Sequence, residues 1–549
     1  MRLLARSSLL ALAAVGAAAV PAGFEEARQS ITADEIRGHL YFLSLDALRG
    51  RAPGTPGGGL AAEYVASRFL GMGLERVGGS YFQPVPLVGI TLDPATSSLA
   101  FESRTRRVAA DYPGDAVIWP GAPDQGGDIS GELVFVGYGA DAPEWGWDDY
   151  KGRDLNGKVA VFLVGDPPAP PDEPGLFGGR AMTYYGRWTY KLEQARRRGA
   201  AGALIVHSGE AAGYDWEVVR TSWAGEQLSL EGTGTEAALP LQGWLTRDFA
   251  RRVFAAGGLD LAELYVQATR RDFRPVATGL TVRARMNSRS RAVRTRNVIG
   301  YLPGAHPERR SQVVVLTSHY DHLGTGPAVD GDSIYNGAYD NASGVALLLE
   351  VADAFSRLEP RPDRGILFIA TGAEEAGLLG SEHYVRAPPV PLRRTVAALN
   401  IDGANLWGET DDVVALGADL STLGDIVGAR AEELGLSVMP DPAPEQGSFF
   451  RSDHFPFARN GVPVLHLKHG IRFRGRPPGW GERLLSEYQQ RHYHRPSDEY
   501  DPAFDLAGAV QQGRLLFAVA YDIAMWDRTA EWYEGEGVGF GITAPSAGR

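Results

Sequence analysis

VVVLTSHYDH, residues 313–322, is the stretch on which the fold turns. Four apolar residues and two small hydroxyl residues run uninterrupted into His319 and Asp321. An unbroken apolar run of this length is the pattern of a strand buried on both faces, and the polar residues after it leave the sheet at its end. Downstream the pattern alternates. ASGVALLLEVADAFSRL (342–358) reads as a helix, and GILFIATG (365–372) and AALNID (397–402) as strands. STLGDIVGARAEELG (421–435) reads as a helix, VPVLHLKH (462–469) as a strand and LAGAVQQGRLLFAVAYDIAMW (506–526) as a long helix. This order predicts an α/β fold with a mainly parallel central sheet covered by helices on both faces. Ligands of such sheets lie at the carboxyl ends of the strands.

Upstream, ITADEIRGHLYFLSLDAL (31–48) has Thr32 and Glu35 at capping-box spacing, which predicts a helix. GRAPGTPGGG (50–59) reads as a loop and GLAAEYVASRFLGMGLE (59–75) as a second helix. From residue 126 the texture changes. GELVFVGYG (131–139) and GKVAVFLVGD (157–166) are expected strands, and TYKLEQARRRGAAGALIVHS (189–208) reads as helix, turn and strand. A smaller α/β unit is therefore expected at 126–265, inserted between two parts of the main domain at 25–125 and 270–527. Residues 528–549 read as a surface tail.

Residues 1–22 have the pattern of an export signal: Arg2 and Arg6, then an apolar stretch from Ser8 to Val20, then the small residues Ala17, Ala19 and Ala22. The expected location is secreted or periplasmic, with no membrane anchor after cleavage. The formal net charge of −13 argues against nucleic acid or an anionic membrane as the main partner. The absence of cysteine excludes a catalytic thiol, a thiolate metal site and a disulfide framework. Any metal must then be held by imidazole and carboxylate, and nine of the eleven histidines lie after residue 300.

Five blocks supply such groups: His319 in VVVLTSHYDH, Asp340 in YNGAYDNASG (335–344), Glu374 and Glu375 in TGAEEAG (371–377), Asp402 in ALNIDG (398–403), and His494 in RHYHRPSDEY (491–500). His319 leaves the sheet into the crevice, and the Asp321 carboxylate two residues on can accept its second ring N–H. Asp340 stands before a helix, where an aspartate ordinarily caps, but its two oxygens can also bridge two ions. Glu374 and Glu375 repel each other unless a metal binds one, leaving Glu374 free to take a proton from water. Asp402 ends an apolar strand and needs a partner. His494 has His492 as a neighbouring competitor. Five ligands and a spare carboxylate suit a pair of divalent ions with a general base.

These blocks, in this order and with SDHFPF at 452–457, resemble the M28 family of zinc peptidases, which includes aminopeptidases and glutamate carboxypeptidases. The 126–265 insert resembles the protease-associated domain that many members carry. The resemblance implies two zinc ions: one held by His319 and Asp402, the other by Glu375 and His494, with Asp340 bridging. It implies Glu374 as the base and Tyr493 as a group that steadies an oxyanion. The expected activity is hydrolysis of peptide substrates, foremost as an aminopeptidase. A carboxypeptidase for acidic C-terminal residues would need an arginine cluster, for which Arg451, Arg472, Arg474 and Arg476 are available. A receptor-like binding protein is the third reading.

Overall fold

The computed structural model describes residues 23–123, 127–232 and 239–533. The expected signal segment at 1–22 and most of the expected tail, from 534 on, lie outside the described residues. No helix among the described residues is long and apolar enough to cross a membrane.

The larger of two main sheets has nine strands: β1 (Phe82–Leu92), β2 (Gln227–Leu230), β3 (Ser288–Leu302), β4 (Val313–His319), β5 (Gly365–Thr371), β6 (Thr395–Asn400), β7 (Asp412–Leu416), β8 (Ser437–Met439) and β9 (Val464–His469). Their order across the sheet is β2-β1-β3-β5-β4-β6-β9-β7-β8. The middle run β5-β4-β6-β9 is parallel. On one side β2, β1, β3 and β5 pair antiparallel, and on the other β7 is antiparallel to β9. The sheet is therefore mixed: the expected parallel order holds at its centre and between β7 and the edge strand β8, and is broken elsewhere. The cause is connectivity. Parallel neighbours need a long crossover, usually a helix, and the steps from β4 to β5 and from β5 to β6 carry one. β6 reaches β7 through a non-helical loop.

Eight helices matter for the site and core: α1 (Ala33–Leu43), α2 (Pro56–Gly71), α3 (Gly344–Arg357), α4 (Leu379–Arg386), α5 (Leu423–Glu433), α6 (His454–Arg459), α7 (Trp480–Arg491) and α8 (Ala507–Met525). Strand alternation divides the sheet's side chains between two layers. Val314, Leu316, Ile366, Phe368 and Leu399 join Leu347, Phe355 and Leu516 from α3 and α8. Val313, Val315, Leu367, Ile369 and Ala398 face the other way, onto Tyr384 of α4 and Phe455 and Phe457 of α6.

α2 begins earlier than its composition suggests, at Pro56. Thr55 accepts a hydrogen bond from the Gly58 N–H, and proline suits the first turn, where its missing N–H costs nothing. Gly57 and Gly58 are needed for contact rather than flexibility. A β-carbon on Gly57 would lie 1.7 Å from the Leu48 carbonyl oxygen.

The second sheet has eight strands and its own core around Phe135, Phe249 and Phe254. Its outermost strands in the chain are Ser98–Glu102 and Val276–Met286, so it draws on residues beyond 126–265 at both ends. β2, which lies between strands of this second unit in the chain, pairs instead with β1 of the larger sheet.

α3 is buried nearly all round, which forces Glu350 into the core. His39 of α1 meets it, with Nε2 3.2 Å from the carboxylate, and the His39 Nδ1 lies 2.8 Å from the Tyr64 hydroxyl. Burial, aided by Glu35 and Asp353, pushes the Glu350 carboxyl from 4.5 up to about 8, and burial pushes His39 down to about 4. Both are then neutral near neutral pH. Between 4.5 and about 8 the folded chain keeps a proton that the unfolded chain releases, so this carboxyl makes stability fall as pH rises through that window. Glu350→Gln is expected to flatten the decline of the urea midpoint with pH over this interval. A slope identical to that of the parent would contradict the assignment.

Candidate metal centre

The middle strands deliver their polar ends to one crevice. His319 is the last residue of β4; Glu374 and Glu375 follow β5, and Asp402 follows β6. Ala373 adopts a left-handed φ of 66°, in the turn between β5 and the two glutamates. Asp340 sits in the turn that leads into α3, and His494 in the loop after α7, itself at a φ of 56°.

These groups form two halves. His319 Nε2 lies 3.3 Å from Asp402 Oδ1, and His494 Nε2 lies 3.0 Å from Glu375 Oε2. Asp340 stands between them, with Oδ1 3.4 Å from His319 Nε2 and Oδ2 3.5 Å from His494 Nε2. One carboxylate thus turns each of its oxygens toward a different imidazole. Glu374 Oε2 is 3.8 Å from His319 Nε2.

The surrounding residues hold this arrangement. Asp498 accepts the N–H groups of Tyr339 and Asp340 and the Tyr488 hydroxyl. The Asn341 side-chain oxygen accepts the N–H of Gly344 and of Gly403, tying the Asp340 turn to the one that carries Asp402. Buried Arg51 donates to the carbonyls of Tyr320, Asn336 and Gly337, bracing the chain after β4 against the Asp340 turn.

Asp321 acts differently from the expectation. The His319 Nδ1 lies 3.2 Å from the Asp321 main-chain carbonyl, while the Asp321 carboxylate is 3.9 Å away and accepts the Glu374 N–H at 3.1 Å. The main chain after β4 meets the ring first, so the carboxylate is left to fix the Glu374 backbone. His492 stays out of the crevice: its Nδ1 is 3.1 Å from Ser497 and its ring stacks on Tyr488. Tyr493 stacks on His494 with ring centres 3.9 Å apart, and its hydroxyl is 3.5 Å from Arg451.

His322 is a member that the sequence reading passed over. Fully buried, it places Nδ1 2.7 Å from Glu375 Oε1, and its Nε2 has no hydrogen-bond partner. The available signal was the second histidine of HYDH, three residues after His319. Arg187 and Ser222, both from the second unit, also line the cleft of about 1980 Å³ around the centre. Neither has a sequence signature.

The charge balance decides what the crevice accommodates. Among the described residues, the ion-pair partners of Asp340, Glu374, Glu375 and Asp402 are all imidazoles. Burial disfavours the charged ring of His319, yet Glu374 and Asp402 hold its pKa well above the ordinary value. His494 is raised to about 10 against the same penalty, chiefly by Glu375. Despite burial, His494 and His322 bring Glu375 down to about 2, and the imidazoles hold Asp340 well below the carboxylate range. A field that stabilises protons on two buried rings also favours metal cations in their place. Three clusters place nitrogen and oxygen ligand atoms within 4.8 Å of one another: His319 with Glu374 and Glu375, His319 with Asp340 and Asp402, and His322 with Asp340 and Glu375. The residues present therefore fit a pair of divalent ions.

Residues 297–519 match the family profile described as Peptidase family M28. Aminopeptidase YwaD of Bacillus subtilis (strain 168) is 29% identical over 221 residues, covering 40% of this chain and 41% of that protein. Leupeptin-inactivating enzyme 1 of Streptomyces exfoliatus is 30% identical over 234 residues, covering 42% of this chain and 48% of that protein. The match spans less than half the length of either relative. The solved structure of an aminopeptidase from Aneurinibacillus sp. strain AM-1 aligns with 93% of this chain and 97% of its own, at 20% identity and a TM-score of 0.53, which shows a shared fold.

The two neighbouring histidines give a direct test. His494→Ala is expected to lower the divalent-metal content found by elemental analysis after dialysis, and His492→Ala to leave it at the parent level. The opposite pattern would contradict the geometry.

Proposed function

We propose that the chain, whose residues 297–519 match the profile of peptidase family M28, is a two-metal exopeptidase, foremost an aminopeptidase that releases N-terminal residues from peptides. The observation that carries the reading is Asp340, whose two oxygens each face the imidazole of a different half-site. His319 and Asp402 would hold one ion and Glu375 and His494 the other, with Asp340 shared. Imidazole and carboxylate donors suit zinc. Bound there, the ions would supply an acidified water and polarise the scissile carbonyl.

The chain's own groups do the rest. Glu374 is the proton carrier. Burial, with Asp402 and Glu375 close by and in spite of His319, pushes its carboxyl well above the ordinary range. Once ionised, the carboxylate could take a proton from water and return it to the leaving amine. The Asp321 carboxylate positions Glu374 through its backbone N–H. Burial keeps the Tyr493 hydroxyl protonated, so it can donate to a developing oxyanion. The export pattern at 1–22 supports action on peptides outside the cytoplasm. The second unit, in this reading a protease-associated domain, forms one wall of the cleft.

One observation favours a second reading, a carboxypeptidase for acidic C-terminal residues. Arg187 is buried, lines the cleft and leaves its Nε without a partner. Arg451 beside it contacts the Tyr493 hydroxyl and the face of Tyr214. Neither has a carboxylate ion-pair partner among the described residues, so a substrate carboxylate could fill that role. The other expected arginines are engaged elsewhere: Arg472 with Asp412, Arg474 with Asp411 and Glu409, and Arg476 on Trp480.

A panel of free-amine peptides, N-blocked peptides and peptides ending in glutamate separates the readings. The aminopeptidase reading expects cleavage of free-amine substrates only, lost with chelator and restored by zinc. Preferred cleavage of N-blocked peptides ending in glutamate would replace it with the second. Glu374→Gln is expected to retain its metal and lower kcat by about 100- to 10,000-fold. Full turnover in that variant would remove Glu374 as the proton carrier.

A further inference from the structure

The helix Trp216–Trp223 of the second unit ends against the loop that carries His494. Asp215 caps its first turn by accepting the N–H groups of Glu217 and Val218. Val218 and Val219 are buried in an aromatic cluster with Tyr214 and Trp244. One turn on, Ser222 lines the cleft and places its Oγ 3.1 Å from His494 Nδ1. On the other side of the ring, Nε2 faces Glu375 and Asp340.

The imidazole is thus spanned between the acidic centre and a hydroxyl of the other unit. A histidine that directs Nε2 at a cation carries its proton on Nδ1, and the acceptor of that proton sets the tautomer and the ring orientation. For His319 the acceptor is the carbonyl of Asp321, two residues along the same segment. For His494 it is Ser222, 272 residues away in the chain. Neighbouring contacts strengthen this grip. Gln489 donates to the Gly213 carbonyl, Arg495 lies 3.6 Å from Asp215, and Tyr493 packs on the aromatic cluster while stacking on the His494 ring. His494 needs such support, because its left-handed φ of 56° is unfavourable for a residue other than glycine.

We propose that Ser222 is a positioning residue for His494, so that the second unit completes the half of the centre formed by His494 and Glu375. The inference rests on the two-metal reading above. It gives the second unit a role in metal retention in addition to its place in the cleft wall. The half formed by His319 and Asp402 draws its support from the larger unit and does not depend on Ser222.

The test is zinc titration of the full-length parent, Ser222→Ala and Ser222→Thr against a chromophoric chelator, with the melting temperature of each metal-free protein measured alongside. In the parent, two zinc ions are expected. In Ser222→Ala one ion should keep its parent affinity and the other should weaken by about 10- to 100-fold. Ser222→Thr, which keeps the hydroxyl, should restore the weakened site. The metal-free melting temperature should be the same in all three, since a general packing defect would lower it. Two ions held at parent affinity by Ser222→Ala would overturn the proposal, and so would equal weakening in Ser222→Thr. A parent that binds no zinc would instead overturn the two-metal reading on which the proposal rests.

Discussion

Four carboxylates share one crevice, and among the described residues their ion-pair partners are imidazoles. Two like charges 4 Å apart repel by about 4 kcal/mol at an effective dielectric constant of about 20, so ionising Asp340, Glu374, Glu375 and Asp402 together carries a cost that positive charge among them offsets. Much of the nearby structure holds them together against that repulsion. Asp498 grips the backbone at Asp340, Asn341 ties that turn to the one carrying Asp402, and Arg51 braces the chain from below. The raised proton affinity of His319 and His494 is the same field seen from the nitrogen side.

The sheet explains why the crevice lies where it does. β5, β4 and β6 run parallel at the centre, so the residues after all three emerge at one edge. Their alternating side chains are spent on two apolar layers, which leaves the strand ends as the place where polar groups can gather. Asp340 and His494 come from loops rather than strand ends, and each needs outside help to stay in place. Asp498 provides it for Asp340. For His494 the help comes from the second unit, through Ser222 and the contacts around Tyr493.

The readable parts of the sequence were those governed by local pattern. Apolar runs of strand length mark β4, β5, β6 and β9, and the polar residue at or just after the end of each of the first three marks a group that reaches the crevice. Thr32 and Glu35 marked the start of α1. The strand order was less legible, because antiparallel flanks depend on how distant segments such as β1 and β3 meet. The start of α2 was misplaced because Gly57 and Gly58 look like loop residues until the Leu48 carbonyl they pack against is known. For Asp321 the sequence suggests a carboxylate on the His319 ring where the structure has the main-chain carbonyl, since a two-residue spacing does not say which of the two reaches the ring. His322, Arg187 and Ser222 were missed. The first was hidden behind His319, and the other two join the site only through the packing of two units.

The most direct measurement is anomalous scattering at the zinc edge from crystals of the zinc-loaded protein. Two peaks about 3.5–4 Å apart are expected, one beside His319 and Asp402 and one beside Glu375 and His494, with Asp340 touching both. No peak in this crevice, or peaks only elsewhere on the molecule, would contradict the account at its root.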